Sequence, residues 1–152
     1  MPNELESAKN FALRLIKFRM RSKHELQSRL KRKQFSEKII KQVLDFLSDL
    51  GYVNDLTFAK TWVNDRLQFN PRSRKLLVYE LKNKGIDETI IKQSIAGLSS
   101  EIEEQMAREL VLKRLPKLKG LSREIKQRRL SGYLNRRGFS AGILFKIIKE
   151  LE

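Results

Sequence analysis

The chain contains no cysteine and only one histidine. Without thiols there is no disulfide, no thiolate zinc site and no cysteine nucleophile. The single histidine, His24, lies between Lys23 and Glu25 in the first turn of an expected helix. In so basic a stretch it reads as a surface residue rather than a general base or a metal ligand. Prolines number three, and no apolar run approaches the roughly 18 residues needed to span a bilayer. Met1-Pro2-Asn3-Glu4 shows no basic region followed by an apolar stretch, so no secretory signal is expected, and a cytoplasmic protein is. No G-x-x-x-x-G-K-[ST] loop is present to cradle phosphates; Gly132, Gly138 and Gly142 are spaced too loosely. Glu101, Glu103 and Glu104 cluster where a helix opens, and favourable contact with the helix dipole accounts for them. No catalytic residue, cofactor or metal is therefore expected. A nuclease using those carboxylates is the least favoured reading, and magnesium-dependent cleavage of DNA would be its sign.

Negative charge is scarce too. Eighteen Asp and Glu face 33 Lys and Arg, a net charge of +15. Such an excess attracts polyanions, so nucleic acid or a complex containing it is the leading partner class. The imbalance is greatest at the two ends: +6 over residues 1–51, +3 over 52–100 and +6 over 101–152.

What the chain has in quantity is leucine and isoleucine at helical spacing, and it repeats them. Aligning Ser73 with Ser22, an offset of 51, sets Leu77 on Leu26, Leu81 on Leu30, Ile86 on Phe35 and Ile90-Ile91 on Ile39-Ile40. The same offset places Trp62 on Phe11 and Ala59 on Ala8. An offset of 53 brings Leu130, Leu134, Phe139, Ile143 and Leu144 into line with Leu77, Leu81, Ile86, Ile90 and Ile91. Arg137-Gly138-Phe139 then mirrors Lys84-Gly85-Ile86. Upstream this third register slips, because a longer segment around Pro116 and Gly120 intervenes.

Each copy reads as three helices, near 4–20, 23–33 and 37–50, then 55–69, 73–84 and 88–98, then 101–115, 123–137 and 141–151. Start signals support the map. Ser22 with Glu25 forms a capping box, and Ser100 with Glu103 is expected to repeat it. Ser36, Asp55, Asp87, Ser122 and Ser140 are further N-cap candidates. Gly85 and Gly138 suit the left-handed residue that ends a helix. The expected fold is all-α: three tandem three-helix repeats at 1–51, 52–99 and 100–152, forming an elongated, curved array. No apolar heptad extends far enough to demand a coiled coil, and a monomer is expected.

Two groups of cations are candidate contacts. The first comprises Arg14, Arg21, Lys23, Arg29, Lys31 and Arg32. The second comprises Lys113, Arg114, Lys117, Lys119, Arg123, Lys126, Arg128, Arg129, Arg136 and Arg137. A phosphate contact needs only a positive head within reach, whereas reading bases needs an exposed polar recognition face. The positions equivalent to Leu81 and Ile86 look like core, so backbone contact with single- or double-stranded DNA is preferred to sequence readout. Phe11, Trp62, Phe35 and Phe139 also fall at apolar repeat positions and read as core rather than as a stacking platform.

Ala12-Leu13-Arg14-Leu15-Ile16, followed by Arg21-Ser22-Lys23-His24-Glu25-Leu26-Gln27-Ser28-Arg29-Leu30, resembles the opening repeat of the RecX regulatory proteins. Gly51-Tyr52-Val53-Asn54-Asp55 with Phe58-Ala59 and Trp62-Val63 is similar too, and Leu81-Lys82-Asn83-Lys84-Gly85-Ile86 resembles the family's second repeat. The resemblance covers nearly the whole chain, closely over 8–95 and more loosely after 100. The S-x-x-E-L and G-Y-x-x-D-x-x-F-A elements are specific when found together. Gln34 departs from the glycine found at the equivalent Gly85 and Gly138. The resemblance implies a modulator of the RecA recombinase, acting in recombination, DNA repair and the SOS response. Such a protein binds RecA filaments along the helical groove, usually inhibiting ATPase, filament growth and strand exchange. A general basic nucleic-acid-binding protein that acts without RecA is the alternative.

Overall fold

Serine caps and leucine rows set where the helices begin and what they bury. A computed structural model describes residues 3–151, and among these it contains no strand. The helices are α1 (Glu4–Phe18), α2 (Lys23–Arg32), α3 (Glu37–Asp49), α4 (Asp55–Phe69), α5 (Arg74–Asn83) and α6 (Glu88–Ser94). They continue with α7 (Ser100–Arg114), a 3-10 turn (Leu115–Leu118), α8 (Arg123–Arg136) and α9 (Ala141–Glu150). The fold is all-α, built of tandem three-helix repeats.

The side chains of Asn3, Ser22, Ser36, Ser122 and Ser140 each accept the backbone N–H three residues on, supplying a partner that the first helical turn lacks. At Ser22 the capping box is complete, with Glu25 accepting the Ser22 N–H at 3.1 Å. Two expected starts move by one residue. Ser99, not Ser100, caps α7, accepting from Ile102 N at 3.2 Å, so Glu103 is not part of a capping box. Asn54, not Asp55, accepts the Thr57 N–H at 3.1 Å. The Asp55 carboxylate instead accepts the N–H of Lys23 at 2.9 Å.

Helix α6 ends at Ser94 rather than at 98. The Ser94 hydroxyl bonds back to the Ile90 carbonyl at 2.8 Å, a local bond that competes with continued helix, and Gly97 follows. Ile95 and Leu98 stay buried in the resulting turn. After α7, Pro116 has no N–H for an α-helical bond, and the chain tightens into the 3-10 turn.

Residues cluster into two compact units, Met1–Trp62 with Leu81–Ser94, and Val63–Glu80 with Ile95–Glu152. The first has a core of Ala8 and Ala12 from α1, Leu26 and Leu30 from α2, and Ile40, Val43, Leu44 and Leu47 from α3. These are i, i+3, i+4 sets, so each helix turns one stripe inward. In the second unit, Ala107, Leu110 and Val111 of α7 meet Leu130 and Leu134 of α8, with Phe139 and Ile147. The leucine pairs aligned by the repeat, 26/30, 77/81 and 130/134, are all fully or nearly fully buried.

The helix-ending turn recurs three times. Phe35, Ile86 and Phe139 donate to the carbonyls of Leu30, Leu81 and Leu134, and Gln34, Gly85 and Gly138 donate three residues back. Each middle residue is left-handed, with φ of 68° at Gln34, 73° at Gly85 and 85° at Gly138. What distinguishes them is their surroundings. A Cβ on Gly85 would lie 2.3 Å from His24 Cβ, and one on Gly138 would lie 2.3 Å from Ser73 Oγ. These two turns seat against the start of the second helix of the preceding repeat. At the turn of the first repeat the Gln34 side chain is exposed, so it fits there at a modest backbone cost.

Gly85→Ala and Gly138→Ala are expected to destabilise by about 2 kcal/mol or more, since both strain and overlap are introduced. Gln34→Gly is expected to stabilise by about 0.5 kcal/mol, because only strain is relieved. Urea midpoints of the three variants check the opposite signs.

Candidate functional site

At the Ser22 cap the local bonds extend to another repeat. The Ser22 hydroxyl, fully buried, donates to the Lys84 carbonyl at 2.7 Å while accepting from Glu25 N. The Glu25 carboxylate takes Arg19 at 2.6 Å and Lys84 Nζ at 3.3 Å. Burial pushes this carboxyl up. The Arg19 hydrogen bond, the Ser22 N–H and the Lys84 and Arg19 charges outweigh it and hold the group at about 2. In the second unit, Ser73 is equally buried, accepts from Leu76 N at 3.1 Å, and donates its own N–H to the Arg137 carbonyl at 2.8 Å. Each unit thus joins a serine cap to the helix-ending turn of the next repeat, through the hydroxyl at Ser22 and through the backbone N–H at Ser73. Several cations are committed to such structural pairs: Arg108 and Lys146 hold Glu104, and Arg108 also holds Glu150.

The candidate contact residues separate by environment. In the first group, Arg14, Lys23, Lys31 and Arg32 are exposed and Arg29 is half-buried. Lys23 and Lys31 line a groove with Lys41, where Glu37 and Asp45 offset part of their charge. Arg21 differs from the rest of its group. It is only 8% exposed, and its Nε donates to the Leu15 carbonyl at 3.4 Å, near the end of α1. Burial, then the neighbouring Arg19 charge, lowers its pKa. Its side chain thus satisfies a carbonyl at a helix end.

In the second group, Lys113, Lys117, Lys119, Arg123, Arg128, Arg129 and Arg136 are exposed, and Arg114, Lys126 and Arg137 are half-buried. Arg123 and Lys126 border a groove floored by Leu115, Leu130 and Ile148. Arg114, Arg136 and Arg137 converge on a different cleft, together with Arg72 and Tyr133. The guanidiniums of Arg114 and Arg137 lie 4.7 and 4.6 Å from the Tyr133 ring centre.

Arg72 and Tyr133 escaped the sequence reading. The Tyr133/Arg137 spacing of one helical turn was a usable signal; the approach of α7 and of residue 72 was not. Phe18 and Phe69, equivalent by the 51-residue offset, escaped too. They are 84% and 76% exposed, whereas Phe139 is buried and Phe11, Phe35 and Trp62 are partly so, as expected of core positions. No three His, Cys, Asp or Glu side chains come together as a metal site among the described residues. No helix among them is long and apolar enough to cross a membrane.

Tandem three-helix repeats, interlocked at serine caps and surfaced with cations, define the class of this protein. Family models for the first, second and third three-helix domains of RecX match residues 8–47, 54–95 and 101–148. The chain belongs to the RecX family. It is 36% identical over 143 residues to the regulatory protein RecX of Thermobifida fusca, covering 94% of this chain and 77% of that one. To the regulatory protein RecX of Amycolatopsis mediterranei it is 39% identical over 145 residues, covering 95% and 83%. The crystal structure of RecX from Lactobacillus salivarius superposes with a TM-score of 0.80 at 24% identity, over 97% of this chain and 96% of that one, and shows the same fold.

Because the Glu25 pKa is depressed on folding, its contribution is present above pH 4.5 and is lost as pH falls from 4.5 towards 2. Glu25→Gln is expected to cost about 1 kcal/mol at pH 7, the usual worth of a cap. Its stability should also fall less steeply than wild type over that acid window. Chemical denaturation at pH 7, 4 and 3 checks both; parallel curves would count against the joint.

Proposed function

We propose that this chain binds RecA filaments on DNA and lowers their ATPase, growth and strand exchange, in recombination and DNA repair. The observation that carries the reading is membership of a family whose relatives are named regulatory proteins, along nearly the full chain. The exposed cations support it. Most of the second group lies at the surface, where heads on long stems can meet phosphates and release counterions. The groove of a filament offers DNA phosphates beside protein surface, and an array of small helical units can lie along it. Occupying that groove hinders the second strand sterically and electrostatically, with no bond made or broken. On this reading the protein acts as a cytoplasmic monomer, touching single- and double-stranded DNA through the backbone, without a cofactor.

Titrating the protein into RecA on single-stranded DNA is expected to lower ATP turnover, with the effect weakening as salt rises. Arg128→Glu/Arg129→Glu is expected to raise the concentration needed about tenfold, the equivalent of ~1.4 kcal/mol. Unchanged turnover together with tight binding to bare duplex would instead make the chain a general nucleic-acid-binding protein.

A further inference from the structure

A cleft of about 380 Å³ in the second unit carries four guanidiniums and no carboxylate on its lining. Arg114 comes from α7, Arg136 from α8, Arg137 from the turn after it, and Arg72 from the residues before α5. Glu80, outside the lining, pairs with Arg72 and with Arg66. The lining therefore keeps three cations that no acid of its own offsets. Like charges gathered in a concave, partly desolvated place raise the local potential and favour an anion there.

Three of the four guanidiniums are also held in place. Arg137 donates to the Asn70 side chain and to the Pro71 carbonyl, and Arg72 donates to the Asn70 carbonyl at 3.1 Å. Arg114 and Arg137 rest on the Tyr133 ring. Fixed guanidiniums lose little further side-chain freedom on binding, and their planar forks match phosphate oxygens. Arg129, one turn before Tyr133 on α8, extends the same row of positions along the helix.

A carboxylate-bearing peptide and a phosphodiester strand would both suit such charges. Phe69 favours the strand. It immediately precedes Asn70 of the cleft and leaves 76% of its surface open, instead of being buried or half-buried like the aromatics at core positions. Single strands alternate phosphates with unpaired bases, and bases stack on exposed rings.

We propose that this cleft holds a backbone phosphate of single-stranded nucleic acid, with the Phe69 ring offered to a neighbouring base. The proposal deepens the reading above, resting on its assumption that DNA is part of the target.

The test measures binding of the full chain to a fluorescent oligothymidylate across a salt series. The variants are Arg114→Gln/Arg136→Gln, Arg136→Gln alone, Phe69→Ala, and a charge-matched control, Lys38→Gln/Lys60→Gln, at exposed positions of the first unit. Arg136 is exposed, so its single variant keeps the test valid if the double variant folds poorly. The double variant is expected to weaken binding about tenfold and to flatten the logarithmic salt slope by about 0.7 for each phosphate no longer neutralised. Arg136→Gln should do part of this. Phe69→Ala should weaken binding with the slope unchanged, since stacking releases no counterions. Weakening in the arginine variants no greater than in the control would overturn the proposal, even where wild type still slows RecA. So would an arginine variant that keeps the oligonucleotide but no longer binds the recombinase, which would assign the cleft to an acidic protein surface. Phe69→Ala binding as wild type would remove the base from the site. Wild type that binds no oligonucleotide at low salt overturns the cleft proposal, and the ATPase titration then decides the filament reading on its own.

Discussion

A buried serine hydroxyl at the start of the second helix is the interaction on which much of this structure depends. At Ser22 it ends one helix's shortage of acceptors and begins the contact with another repeat, through the Lys84 carbonyl. Because both tasks fall to one small side chain, the backbone of the arriving turn must come very close. That closeness is what forbids a Cβ at Gly85 and, at the corresponding Ser73 joint, at Gly138. The leucine rows below each joint then fall into equivalent buried places. A joint made of backbone, hydroxyl and glycine tolerates much variation elsewhere, which suits repeats that share few identical residues.

The same joints sort the positive charge. Arg19 and Lys84 are drawn onto Glu25, and Arg72 is drawn onto Glu80. Exposed ion pairs such as Lys92 with Glu88 add little, because water and salt screen them. Arg137 shows how structure and binding meet. Its carbonyl receives Ser73, its side chain ties residues 70 and 71, and its guanidinium helps line the cationic cleft. Repeat packing therefore positions the cleft, and the surface cations around it provide the wider field.

Much of the fold was legible in the sequence because it is written in short-range patterns. Leucines one turn apart, serines three residues before a free N–H and the 51- and 53-residue offsets all report local geometry that repeats. Misreadings of one residue arose where two capping side chains stand together, as in Ser99-Ser100 and Asn54-Asp55. In each pair the earlier residue took the cap, and Asp55 was released for Lys23. The burial of Arg21 was not legible, because charge alone does not tell a solvated head from one turned onto a helix end. The cleft was the least legible feature. Residues 72, 114 and 133 meet only through tertiary packing, and spacing along the chain carries no trace of it. Phe69 was hidden for a related reason, since an aromatic at a repeat-equivalent place is ordinarily core.

Hydrogen exchange of the full chain, with and without RecA filament on single-stranded DNA, reads the contact surface directly. Slower exchange is predicted for the backbone around residues 70–76 and 133–139 when filament is present at low salt, with the protection fading as salt is raised. Unchanged exchange in both segments while the chain remains bound to the filament would contradict a binding surface centred on the arginine cleft.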